Sequence, residues 1–314
     1  MKEKGTMILR IISGSGVADY VAKKLILVCG CTVYLKKGTV LMNHWKIHAL
    51  YYGELTILKG VLSAGMDPDL EMAIPYTGFL LQNGKENVLV DTGVADEFLS
   101  KIVISGKPSY GGRNYILDAL KKQGLTPSDI NTVIYTHLNN DHAGCPELFP
   151  DATAIIQFDE YQNLLNPSSE QQELLDYDVD SIERLHAVKN INFVNGDVVL
   201  DNGLELYKVP GHTKGSQAIV VPTAEGRYVL VGDTPHLVCC IFPKMDEMQL
   251  MDGSYVNITP APDSMLPFLL NSLIYDKQEG FNSFKKLVNL GENFEPKYYL
   301  TSHDPGNIFI GTFG

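Results

Sequence analysis

Beyond residue 76 the chain alternates short apolar runs with polar turn residues, the pattern of strands broken by tight turns. "TGFLLQNGKENVLVDTG" reads as strand, Asn-Gly turn and strand, which predicts a β-hairpin. "NYILDALKKQG" changes period: Ile116, Leu117 and Leu120 recur at helical spacing and Gly124 closes the helix. "INTVIYTH" predicts a short β-branched strand that delivers His137 at its end. "ATAIIQ" predicts a further strand and "EYQNLLN" the start of a helix. Residues 168–190 are polar with helical character, which predicts a surface excursion.

The second half repeats the style. "INFVNGDVVLDNGLELYKVPGH" and "SQAIVVPTAEGRYVLVGDT" predict strands separated by Asn-Gly and Glu-Gly turns. "IFPKMDEMQLMDGSYVNITPAPDSM" is loop-rich and predicts a lid or substrate wall. "FNSFKKLVNL" predicts an amphipathic helix, and "KYYLTSHDPG" a last strand ending in His303. Two halves of strands and helices, each with ligand-type residues at strand ends, predict two packed sheets flanked by helices.

Residues 1–43 follow another pattern: a Gly/Ser break, a short helix-like piece, then the apolar run "LILVCGCTVYL" at 25–35. That run is too short to span a bilayer and predicts a buried strand. The opening stretch lacks the unbroken apolar core of a signal peptide. We read 1–43 as an N-terminal extension without an assigned role and 44–314 as the main domain. An extra arm, an oligomer contact and a start site upstream of Met42 all remain open for the extension.

Composition narrows the function. The 314 residues suffice for one large domain or two modest ones, and 45% apolar with 20% charged is ordinary for a soluble globular chain. Twenty-five basic residues against 37 acidic ones give a formal net charge of −12, which repels phosphate backbones. No Lys/Arg run offsets this, so neither nucleic acid nor membrane is an expected partner. The five cysteines, Cys29, Cys31, Cys145, Cys239 and Cys240, form no disulfide framework and suit a reduced, cytoplasmic setting.

The chemistry gathers in "YTHLNNDHAG", where His137, Asp141 and His142 surround Asn139. His212 in "VPGHTKGS", Asp233 in "LVGDT" and His303 in "TSHDPG" also stand at the ends of predicted strands. Any one of them alone reads as a surface or satisfied core residue or a turn former. Together they form an imidazole and carboxylate set of the kind that holds zinc or iron. His44, His48 and His186 have no such context. Cys145 follows the motif closely but has no base beside it, so a nucleophilic role is not expected.

In this order the motifs resemble those of the metallo-β-lactamase-fold hydrolases: His-x-His-x-Asp-His, a Gly-His, a bridging Asp and a final His. The resemblance covers roughly 76–306 and includes "VLVDTG", where Asp91 would orient ligands. It implies an α+β fold, an αββα sandwich of two mixed sheets flanked by helices. Within the superfamily, "DHAG", "PGHTKGSQ" and "SHDPG" are most similar to the N-acyl homoserine lactonases. By the resemblance, His137, residue 139 and His212 hold one metal. Asp141, His142 and His303 hold the other, and Asp233 bridges them. One or two divalent metals are implied, zinc first, with iron or manganese as alternatives. The implied reaction opens a small-molecule lactone or related ester by attack of metal-bound hydroxide, with Asp141 accepting a proton. Thioester or phosphodiester hydrolysis, a non-catalytic binding protein with an impaired metal site, and a homodimeric state remain alternatives.

Two departures qualify this. Asn139 replaces the middle histidine, and an amide oxygen is a weaker, harder donor for zinc than imidazole. The first site is then weakened, or Asn139 ligates an oxygen-tolerant metal, or catalysis is lost. His236 stands where the lactonase pattern carries a tyrosine that helps polarise the substrate carbonyl. It replaces that tyrosine as a donor, substitutes as a ligand for Asn139, or is simply an exposed loop histidine.

Overall fold

The computed structural model describes residues 44–104 and 106–314, together with two short strands, Leu25–Ile26 and Thr32–Val33, that pair antiparallel. The helix and the burial expected within residues 1–43, and Cys29 and Cys31, lie outside the described residues. The chain divides into units Met1–Met42 and Asn43–Gly314, and the second carries both large sheets.

The larger sheet has seven strands in the order Asn190–Val194, Thr153–Gln157, Thr132–Ile134, Asn87–Val90, Glu71–Gln82, Lys46–Leu58 and Thr312–Phe313. The first four run parallel and the rest antiparallel, so the sheet is mixed. Three of the parallel strands, Thr153–Gln157, Thr132–Ile134 and Asn87–Val90, are short, rich in β-branched residues and mostly buried, as strands covered on both faces tend to be, whereas the edge strand Asn190–Val194 is largely exposed. The expected hairpin joins Glu71–Gln82 to Asn87–Val90, with Phe79 opposite Val90. Its turn spans residues 83–86: Gly84 takes φ +80°, and the Asn83 side chain accepts from the amides of Lys85 and Glu86.

The second sheet has five strands, Val198–Val199, Glu205–Lys208, Gln217–Thr223, Gly226–Gly232 and Tyr299–Thr301, and only the last pairing is parallel. The stretch beginning "INFVNGD" therefore serves both sheets, because the chain crosses from one to the other at the Asn195–Gly196 turn. Leu89, Ile134 and Ile155 of the first sheet and Leu206, Ile219 and Leu230 of the second belong to one buried hydrophobic core. The helix Arg113–Lys122 packs on Lys46–Leu58, and Phe158–Leu165 packs on Thr153–Gln157.

Three expectations need correction. Residues 168–190 are more than a surface excursion: they bury Gln171, Tyr177, Asp178 and Leu185, and Asp176 O accepts from the Asn140 amide at 2.7 Å. The final strand is Thr312–Phe313 rather than the one before His303. The helix read from "FNSFKKLVNL" begins earlier, as Lys277–Leu287, because the Asp276 side chain caps the Glu279 amide.

The sheet edge bearing the ligand-type residues is closed by backbone contact. Gly144 N donates to Gly93 O at 2.7 Å, and Thr92 N to His142 O at 2.6 Å. A Cβ on Gly144 would lie 2.3 Å from Ala95 N and 2.5 Å from Gly93 O, so only glycine permits this approach. Gly144→Ala is expected to destabilise the domain by at least about 1–3 kcal/mol, read as a lowered urea midpoint with an unchanged slope.

Candidate metal centre

The site begins with Asp91, just past the strand Asn87–Val90, whose backbone takes the left-handed φ +63°. That conformation costs a non-glycine residue about 1–2 kcal/mol, and here it aims a buried carboxylate beneath the next strand end. Asp91 accepts from Thr136 N and Thr136 Oγ1, both at 2.7 Å, and from His142 Nδ1 at 2.8 Å. Thr136 gives its only hydroxyl proton to Asp91, so its oxygen accepts from His137 Nδ1 at 3.0 Å. The orienting role expected of Asp91 thus reaches His142 directly and His137 through Thr136.

The other imidazoles are aimed in the same way. His212 Nδ1 donates to Leu273 O at 2.8 Å and His303 Nδ1 to Pro75 O at 2.9 Å. Gly211, at φ +134°, lets the His212 loop pass Gly280, whose Cα would sit 2.5 Å from an added Cβ. With Nδ1 acting as donor, each of the four rings directs Nε2 to a common centre, as a free lone pair wherever that nitrogen carries no proton.

A buried carboxylate with no sequence signal ties two of these loops together. Glu160 accepts from Leu138 N at 2.9 Å, Tyr177 OH at 2.9 Å, Thr213 Oγ1 at 2.5 Å and Gly215 N at 3.0 Å. It lies in the helix Phe158–Leu165, and no spacing rule connects it to either histidine. Tyr275, stacked near His212 at 6.3 Å and bonded to Asp176 at 2.5 Å, was equally invisible. The wall was expected from residues 241–265, but these contacts to the rings come from residues 271–275, just beyond that stretch.

The fold brings every sequence-predicted residue together. The ligating atoms of His137, His212 and Asp233 lie within 4.8 Å of one another, as do those of Asp141, His142 and His303. Asp233 joins the two groups: its Oδ1 is 3.4 Å from His142 Nε2, and its Oδ2 is 2.9 Å from His303 Nε2 and 4.0 Å from His212 Nε2. Asp141 reaches both His142 and His303, at 3.7 and 3.5 Å. His44 is exposed, while His48 and His186 bond to Thr312 and Tyr161 outside the cluster. The Cys145 thiol is pushed up to about 12 by burial, which agrees with an inert role.

The donor set fits divalent cations. Two ligand atoms about 2.1 Å from one ion stand about 3–3.5 Å apart, and the separations here run from 2.9 to 4.0 Å. His137 Nε2, His142 Nε2 and Asp233 Oδ1 are buried without a hydrogen-bond partner, which is costly unless a cation engages them. Asn139 Oδ1 lies 2.8 Å from His212 Nε2. Both atoms carry lone pairs, since the His212 proton is committed to Leu273, so a cation between them or an amide turned to donate relieves the repulsion.

His236 is not the exposed loop residue that a position after Pro235 suggested. It is buried, with Nε2 3.4 Å from Asp233 Oδ2 and its ring 5.1 Å from that of His212. Burial pushes it down to about 3, with Asp233 opposing and the neighbouring histidines adding to the shift. His142 behaves oppositely. Burial disfavours its charge, but Asp233, Asp141 and Asp91 outweigh that and hold it well above the usual imidazole range. His303 is raised in the same manner, against burial, chiefly by Asp233.

The sequence profile of the Metallo-beta-lactamase superfamily matches residues 75–243, and the chain belongs to that superfamily. The αββα architecture and the class of metal-dependent hydrolases inferred from the motifs both hold. Its relatives include lactonases. An N-acyl homoserine lactonase of Bacillus thuringiensis is 24% identical over 194 residues, 59% of this chain and 74% of that protein. A solved N-acyl homoserine lactone hydrolase, with the product N-hexanoyl-L-homoserine at its catalytic metal centre, superposes with a TM-score of 0.61. It is 20% identical and covers 82% of this chain and 93% of its own. A dizinc quorum-quenching lactonase, also with product, superposes at 0.59 with 17% identity, covering 87% and 91%.

Neighbouring carboxylates hold His142 well above, and His303 above, the ordinary imidazole range, and a cation bound by these rings would displace their protons. Raised values mean that these rings are protonated below that range, so apparent zinc affinity is expected to fall as pH falls and rise as pH rises. Calorimetry in buffers of different ionisation enthalpy should report net proton release near pH 7. Zinc uptake without proton release, and with affinity independent of pH, would contradict the ligand role of these two rings.

Proposed function

We propose that residues 44–314 form a metal-dependent hydrolase that opens a lactone or related ester. The observation that carries this reading is the convergence of four buried imidazole Nε2 atoms around Asp233, with each Nδ1 anchored behind. His137, Asn139 and His212 serve one cation, Asp141, His142 and His303 the other, and Asp233 both. Bound divalent cations supply hydroxide near neutral pH and Lewis acidity toward a carbonyl. Zinc is the first choice, and the amide oxygen of Asn139 also suits manganese or iron.

The protein's own groups do the rest. Asp141 is only partly buried and faces His142 and His303, a position from which a carboxylate takes up a proton and hands it to a leaving alkoxide. Tyr275 and the segment around Asp176 wall the His212 side and limit water there. The lactone substrates of the relatives, rather than any pocket dimension, suggest the substrate class. A cytoplasmic, reduced setting is supported by Cys145, Cys239 and Cys240, all free, and no helix among the described residues is long and apolar enough to cross a membrane.

A competing reading rests on Asn139. With its amide turned to donate to His212 Nε2, it would seal that lone pair and leave a scaffold with an impaired site. Elemental analysis with a lactone and ester hydrolysis panel separates the two. The hydrolase reading expects fewer than two tightly held metals per chain after brief chelation, with turnover present. Asn139→His should then raise second-metal affinity at least about tenfold, equivalent to ~1.4 kcal/mol, and raise lactone turnover with it. Two metals retained with equal resistance in the parent would show that Asn139 is already an adequate ligand. Metal binding without turnover in both parent and variant would favour the scaffold.

A further inference from the structure

We propose that Asn271 locks His236 in the tautomer carrying its proton on Nε2. The fifth imidazole of the centre is then a hydrogen-bond donor facing the site and not a metal ligand. The inference deepens the hydrolase reading and rests on it for the use to which the donor is put.

The four ligand-type rings all set Nδ1 against an acceptor: a backbone carbonyl for His212 and His303, the Asp91 carboxylate for His142, and the Thr136 oxygen for His137. His236 alone sets Nδ1 against a donor, the Asn271 amide nitrogen at 3.0 Å. The orientation of that amide is fixed from both sides. Leu273 N donates to Asn271 Oδ1 at 2.9 Å, and Asn271 Nδ2 donates to Leu62 O at 3.0 Å. Turning the amide over would set nitrogen against an N–H and oxygen against a carbonyl, losing both bonds in a buried place.

The two Nδ2 hydrogens are therefore committed to Leu62 O and His236 Nδ1. His236 Nδ1 accepts, and the single proton of the neutral ring resides on Nε2. That N–H points toward Asp233 Oδ2 at 3.4 Å, too long for a strong bond. The ring lies parallel to His303 at 5.7 Å and perpendicular to His212 at 5.1 Å, so the donor faces both halves of the centre.

A protonated Nε2 has no lone pair, so His236 does not replace the imidazole missing at Asn139. A neutral N–H beside the cations also suits an uncharged carbonyl oxygen that gains negative charge, the chemistry of an ester or lactone. One short segment assigns opposite roles to two rings: Leu273 O keeps the His212 proton on Nδ1, and Asn271, two residues earlier, keeps the His236 proton on Nε2. Asn271 is in this sense a positioning residue.

The test is the ring-nitrogen NMR spectrum of the full chain with 15N-labelled histidine, assigned with His236→Gln, without metal and after loading with zinc or cadmium-113. The expected His236 pattern is an unprotonated Nδ1 and a protonated Nε2, unchanged by metal, with no cadmium coupling to that ring. A protonated Nδ1, or cadmium coupling to His236, overturns the proposal. In Asn271→Asp a carboxylate oxygen replaces the amide nitrogen, so the pattern should reverse and metal retained after chelation should increase. A pattern unchanged in that variant removes Asn271 from the account. If Asn271→Asp does not fold, the parent spectrum and the cadmium coupling still decide. None of these readouts uses a substrate. A protein that opens no lactone yet shows the expected pattern therefore refutes the hydrolase reading alone.

Discussion

The Asp91 carboxylate, buried beneath the end of the strand Thr132–Ile134, is the contact from which the rest of the centre is built. It accepts three hydrogen bonds, two from Thr136 and one from His142, and so connects two strands of the larger sheet to the loop holding His137 through His142. Hydrogen bonds to a charged acceptor contribute about 1.5–3 kcal/mol each. That is enough to offset both the left-handed backbone of Asp91 and part of its desolvation. Burial still raises its carboxyl above the ordinary range, with His142 and Thr136 opposing the shift. Such a group stays ionised only while those donors remain in place, so loop geometry and local charge depend on each other.

Glu160 plays the corresponding part for the second sheet. By bonding Leu138 N together with Thr213 and Gly215, it joins the loop of His137 to the loop of His212, although the two are far apart in sequence. Gly215 allows this because any side chain there would meet Glu160 N at 2.2 Å. The site is thus preorganised by two buried carboxylates that do not themselves point into it. Rigid support of this kind is what lets four rings present Nε2 to one centre without rearranging.

Electrostatics divides His137, His142 and His303 more finely than their shared chemical identity would. Asp233 is held well below the ordinary carboxylate range: burial opposes ionisation, but His303, His142 and His236 outweigh it. His142 and His303 hold protons beside the carboxylates, whereas His137, desolvated and facing His142 and His212, is driven well below the usual imidazole value. Of these three, the ring that lies among other rings stays neutral, and the two held by carboxylates do not.

How much of this was legible without coordinates depends on range. The hairpin around Asn83, the helix Arg113–Lys122 and the strand before His137 come from short-range pattern, because periodicity and turn residues act within a few positions. The residues His137, Asp141, His142, His212, Asp233 and His303 were also readable, since each stands at a strand end in a recurring order. Asn139 was visible as an anomaly within that order. The sequence could not show that residues 168–190 fold back onto Asn140, that His236 is buried, or that Glu160 joins two ligand loops. Nor could it show that Asn271 faces His236 Nδ1 while Leu273 faces His212 Nδ1. Those facts arise from contacts between positions tens of residues apart. A hydrogen bond is settled by distance and direction in space, and no local pattern encodes either. The sequence by itself determined which side chains were available for a metal centre. The tertiary structure decided which nitrogen of each ring faces it, because only the partner behind a ring fixes where its proton resides.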